Sequence, residues 1–352
     1  MPRRAVFLKS SKLLPLRGVP IGKKMMKAVW FWITTFTIAL AIFAGLCWLD
    51  MRPGPTLHEA ASAGSIKLIK KQLADGSDIN ALDKEDLTPL MRAVLAGQLA
   101  GMDLLLASGA DVNRAGQKGN TALHFAAMRK DSSAAERLIA AGADFQLRNI
   151  EKAAPLCLAV RADSPVVERL LAAGALTEDL SCADENYLFC AALAGNITML
   201  EALIKRGQDL NLRSKTGASA LHYAVTHRQE EMVRLLLDRG VDVNLQDRYG
   251  LTPLLYAVRG NRLEMVKLLL EHGANTELRD NQDRTPLLAA AQLGFVEIFE
   301  LLVRSGANID AKLSSGETSL ELARDNHHDG IVAFLTDYRR ELKERRPNSA
   351  VH

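Results

Sequence analysis

From Thr56 onward the hydrophobic positions come in short bursts of one shape. The stretches TLHEAASAG, TPLMRAVLAG, TALHFAA, APLCLAV, NYLFCAALAG, SALHYAV, TPLLYAV, TPLLAAA and TSLELAR begin at residues 56, 88, 121, 154, 186, 219, 252, 285 and 318, at spacings of 32 or 33. A second marker keeps the same beat: Gly76, Gly109, Gly142, Gly174, Gly207, Gly240, Gly273 and Gly306. Within the copy that starts at Thr252, Leu254 and Ala257 lie three apart on one helical face, and Thr252 and Pro253 suit a helix start. LEMVKLLLEHG follows, with Met265, Val266, Leu268, Leu269 and Leu270 as a broad apolar face and Gly273 as its stop. Asn275 to Arg284 is polar and turn-like. Each copy therefore predicts two short helices and a turn. One such unit cannot bury its own apolar face, so the copies must stack.

A different pattern precedes the repeats. Ala28 to Leu49 is 22 residues without a charge, long enough to span a bilayer as a helix. Trp30 and Trp32 stand near one end and Trp48 near the other, as indoles do at membrane interfaces. Lys23, Lys24 and Lys27 crowd the N-terminal flank; beyond Arg52 the next basic residue is Lys67. Positive charge stays on the cytoplasmic side, so residues 1–27 are expected in the cytoplasm, as a disordered basic segment, and the repeats on the far side, the periplasm of a Gram-negative bacterium. The reading is a single-pass inner-membrane anchor. A signal peptide cut after Ala39-Leu40-Ala41 and a mitochondrial presequence are its alternatives, and Met25 or Met26 could also serve as the start.

Charge sharpens the division. Of 44 Lys and Arg, nine fall in residues 1–52 with one of the 41 acids, leaving 35 basic against 40 acidic residues beyond, a net of −5. The alkaline pI of 8.6 thus belongs to the leader and gives no argument for nucleic-acid binding. Cys47, Cys157, Cys182 and Cys190 show no CxxC spacing and no zinc pattern. They are expected to be free thiols acting as small apolar groups, with a disulfide involving Cys157 or Cys182 as the alternative in an oxidising compartment.

The period of 33, the T-P-L-H-x-A bursts and Gly109-Ala110-Asp111-Val112-Asn113 closely resemble the ankyrin repeat. The resemblance covers about residues 54–340. It implies an all-α repeat solenoid of about nine ankyrin repeats in a curved array, here preceded by one transmembrane helix and followed by a charged tail, 341–352. It also implies that His58, His124 and His222, the histidines of T-P-L-H, are structural, bridging turn backbone. Repeats four and five depart from the pattern: Lys152 and Asp184 stand where a turn glycine is usual, and Ala154 and Asn186 where threonine is usual.

Such arrays bind other proteins across a concave groove lined by turn tips and first-helix edges. Register places Lys118, Met128 and Arg129 there in repeat three, Glu151 and Arg161 in four, Glu185 and Leu193 in five, and Lys215 and His227 in six. Repeat seven adds Arg248, Tyr249 and Arg259, and repeat eight Arg284 and Gln292. Basic residues dominate that set, so a basic groove and an acidic partner surface are expected, with repeats six to eight central. No HExxH, GxSxG, P-loop or dinucleotide fingerprint occurs, and no catalytic residue, cofactor, metal or small-molecule substrate is expected. His327-His328 beside Asp325 and Asp329 reads as an exposed polar corner. The function expected is a membrane-tethered, non-catalytic protein-binding module, a scaffold or an immunity-type inhibitor. A cytoplasm-facing membrane scaffold and an exported host-directed effector are the alternatives.

Overall fold

The computed structural model describes residues 54–344 apart from 117, 177–180 and 184. The segment 28–49, on which the membrane span was expected, lies outside the described residues. Among those residues no helix is long and apolar enough to cross a membrane.

Among the described residues nine helix pairs follow one another, from Leu57–Ser62 and Ile66–Ala74 to Ser319–Asp325 and Asp329–Glu344. First helices stack on first helices along the whole series, and second helices pack on second helices from repeat one to five and from seven to nine. The helices are short because each start and stop is written locally. In repeat seven, Thr252 is extended (φ −88°, ψ 164°) and its hydroxyl accepts a hydrogen bond from Leu255 N at 3.2 Å, with Pro253 in the first turn. The partner helix, Leu263–Glu271, ends where Ala274 N donates to Leu269 O and Gly273 takes φ +82°, the left-handed form that glycine adopts without steric cost.

The core runs the length of the array as one cluster, built from alanines of the first helices and leucines, valines and methionines of the second. Ala60, Ala93, Ala126, Ala159, Ala191, Ala224, Ala257, Ala290 and Ala323 are all fully buried. Their methyl groups let neighbouring first helices approach closely. The final helix passes Arg340 and runs to Glu344.

Repeats four and five break the pattern structurally as well. Ala154 starts its helix with no side-chain cap. The path into repeat five forms a small hairpin, β1 (Ser181–Cys182) against β2 (Glu185–Asn186), antiparallel. Asn186 replaces the usual threonine and still caps, accepting from Leu188 N at 2.8 Å.

Candidate functional site

The turn tips that precede the first helices of repeats two, four, seven and eight are each held by an acidic or amide side chain folded back on its own loop. Asp247 Oδ1 accepts from Tyr249 N (2.8 Å) and Leu251 N (2.9 Å). Asp83, Asn149 and Asp280 close their tips in the same way. Tips also bond to one another: Ile150 N donates to Lys118 O, Arg248 N to Thr216 O and Asn281 N to Tyr249 O. This ladder fixes the backbone and leaves the side chains of residues such as Arg248 and Tyr249 projecting outward.

Five large apolar side chains are exposed among the described residues: Met128, Ile150, Leu193, Tyr249 and Leu293. Ile150 and Tyr249, at 69% and 58% exposure, sit on tips. Met128, Leu193 and Leu293 end first helices. All five thus fall on one face of the array. Lys118, Arg129, Arg161, Lys215, Arg248 and Arg259 are exposed on it as well, and none forms an ion pair among the described residues. His227 is exposed too, its Nδ1 3.0 Å from Tyr223 O.

A cleft of about 620 Å³ opens where repeats six, seven and eight meet, lined by Tyr249, Tyr256, Arg259, Arg262, Asp280 and Arg284, among others. Its floor is locked. Tyr256 donates to Asp247 Oδ2 at 2.8 Å, and burial, followed by that carboxylate, pushes the phenol up to about 12. Arg262 Nη1 donates to Val225 O, while its Nε is buried without a partner. Burial, then the nearby Arg228, lowers the pKa of Arg262.

The geometry sorts the expected contact residues. Arg284 is not a free groove cation: its Nη2 and Nε lie 2.7 and 3.0 Å from Asp280 Oδ2, and that carboxylate is almost wholly buried. Arg284 therefore braces the tip of repeat eight, as Arg92 braces that of repeat two through Asp83. Sequence reasoning passed over Ile150 and Leu293. Register could have found both, since Ile150 stands where Lys215 and Arg248 stand, and Leu293 where Arg129 and His227 stand.

The histidines knit repeats together. His124 Nδ1 accepts from Thr121 N (3.1 Å), so its Nε2 carries the proton and donates to Ala153 O (3.1 Å) of the next repeat. His222 does the same between Ser219 N and Leu251 O, and His58 Nε2 lies 2.9 Å from Ala81 O. Burial lowers the pKa of His124 and of His222. At this register repeat four has Cys157, which is bonded to Cys182 of the hairpin. The expectation of free thiols thus fails for this pair, for a physical reason: the hairpin folds Cys182 back over the helix of repeat four, bringing the two Cα atoms within 5.0 Å. Cys190 is a free thiol. Among the described residues no group of three or more His, Cys, Asp and Glu side chains could hold a metal ion; His328 is tied to Gln292 O.

Comparison with known families gives a match to the family described as ankyrin repeats (3 copies), over residues 57–149, 124–214, 156–247, 188–280, 239–313 and 275–346. No curated protein matches the chain.

Proposed function

Because the chain belongs to the ankyrin repeat family, we propose that it is a non-catalytic protein–protein interaction module, held at a membrane by residues 28–49, that captures an acidic partner on its tip face outside the cytoplasm. One observation carries the binding part. The exposed large apolar residues and the unpaired cations share a single face, where Met128, Arg161, Leu193 and Arg259 hold one register near the ends of the first helices and Leu293 holds the next. Isolated apolar residues on a surface need no explanation; a row of them at two adjacent registers, interleaved with arginine, has the composition of a binding surface. The cleft at Tyr249 and Arg259 lies on this face and suits a carboxylate beside an apolar group.

Two observations favour the extracytoplasmic side. Lys and Arg crowd the N-terminal flank of the 28–49 segment. The Cys157–Cys182 bond belongs to the kind of linkage that persists in oxidising compartments and is rare in the cytosol.

Two experiments test the reading. A photo-crosslinking amino acid at position 249 is expected to capture a discrete partner in cells of the native host. The adduct should vanish in an Arg248→Glu/Arg259→Glu background, and the same probe at Arg239, on the end of a second helix, should capture nothing comparable. Equal adducts from both positions would remove the tip face as the site. For topology, alkaline phosphatase and a fluorescent protein are fused in turn after His352. An active phosphatase with a dark fluorescent fusion is expected; the reverse would make the protein a cytoplasm-facing scaffold.

A further inference from the structure

Three of the repeats bridge to the next with a histidine, and repeat four has no histidine to use. Its helix starts at Ala154, which offers no side-chain cap, so the Thr–His or Ser–His pair of repeats three and six is missing as a whole. Cys157 occupies the histidine position and is covalently joined to Cys182, in the hairpin leading into repeat five. Both sulfur-bearing side chains are buried, at 0% and 2% exposure, inside the junction. On the second-helix side, Asn196 Nδ2 reaches Asp163 Oδ1 at 2.9 Å. Arg206 Nη2 also donates to Leu176 O at 2.6 Å; each is a side-chain hydrogen bond at a part-buried site and contributes modestly.

We propose that the Cys157–Cys182 bridge is a redox-controlled clamp between repeats four and five, standing where repeats one, three and six use a histidine bond, so that this junction is held shut when oxidised and opens more readily than its neighbours when reduced. The junction falls between Arg161 and Leu193 on the tip face, so reduction would loosen that face there. The proposal does not depend on who the partner is.

The chemistry balances by thiol–disulfide exchange. The two thiols lose two protons and two electrons, forming the S–S bond. The electrons reduce a disulfide donor, such as oxidised glutathione, to two thiols; a dithiol reductant reverses the step. Cys190 does not compete for the bridge. Burial pushes its thiol up to about 11, leaving little thiolate at neutral pH to attack.

The test uses the full-length protein in mild detergent. Peptide mapping without reductant should recover the Cys157–Cys182 linkage in protein made in an oxidising compartment. Hydrogen exchange is then followed before and after complete reduction with dithiothreitol. Because the bridge closes a loop 25 residues long, its removal should speed opening of Pro155–Arg161 and Tyr187–Ala194 on the order of a hundredfold. Ala122–Met128 and Pro253–Arg259 should be unchanged. Cys182→Ser should match the reduced protein and ignore reductant; if that variant fails to fold, the wild-type comparison stands alone. Equal exchange before and after reduction, a rise shared by all helices, or a map without the linkage would overturn the proposal.

Discussion

His124 and His222 each place one ring nitrogen as acceptor and the other as donor, an arrangement that only the neutral ring can make. Their folded pKa values lie below the 6.5 of a free imidazole, chiefly through burial. The unfolded chain therefore binds more protons below that pH, and stability that is complete above it declines as pH falls. The melting temperature should drop from about pH 7.5 to about pH 5. His124→Met, which installs the residue of the same register in repeat two, should cost about 1–2 kcal/mol at neutral pH and flatten that dependence. An unchanged slope would mean that other groups govern acid sensitivity. The same scale separates two arginines that the sequence presents alike. Arg284→Ala strands the buried Asp280 carboxylate and should cost about 2–3 kcal/mol in chemical denaturation. Arg259→Ala removes an exposed side chain with no ion pair among the described residues and should stay within about 0.5 kcal/mol. Sequence register placed both arginines near the face. It could not show that Asp280 had claimed one of them, because that pairing depends on how the tip folds.

Helix pairs were legible because their signals are local. Thr252 and Pro253 start a helix, Gly273 ends its partner, and the alanine at each repeat's centre reports a close helix contact. Where a signal is missing, the element shows it. Ala154 takes the extended cap conformation of its neighbours (φ −80°, ψ 163°) yet offers no oxygen to the helix start. Ala154→Thr should restore that bond and add about 1 kcal/mol to the stability of repeat four, measured as slowed hydrogen exchange in Pro155–Arg161. No gain would mean that the buried alanine has no room for a hydroxyl and a methyl. The disulfide was illegible for the opposite reason. A 33-residue rhythm says how far apart two positions stand within regular copies. Cys182 lies where the rhythm slips to 32, and only the hairpin decides that it meets Cys157. The available clue was register, since Cys157 holds the place from which histidines reach into the next repeat.

At the scale of the whole molecule, charge and shape point in different directions, and that difference is testable. Residues beyond 52 carry a net charge of −5, yet the tip face of repeats three to seven presents Lys118, Arg129, Arg161, Lys215, Arg248 and Arg259. Net charge alone would have the protein repel an acidic partner at long range. A local cationic face attracts the same partner once it approaches within about a Debye length, ~10 Å at moderate salt. Association should therefore depend on ionic strength more strongly than the overall charge implies. Raising salt from about 50 to about 300 mM should lower the association rate roughly tenfold, with a smaller effect on dissociation. Arg248→Glu/Arg259→Glu should lower the rate at low salt and remove most of its salt dependence. Arg239→Glu changes the net charge by half as much, on the end of a second helix, and should leave both nearly unchanged. Stopped-flow or surface-binding kinetics with the crosslinked partner would decide it. If the double reversal and Arg239→Glu act in proportion to their change in net charge, only total charge matters and the cationic face has no special role. If the double reversal alone acts, recognition is local to repeats six to eight, and the acidic balance elsewhere serves to reject partners that lack a matching segment.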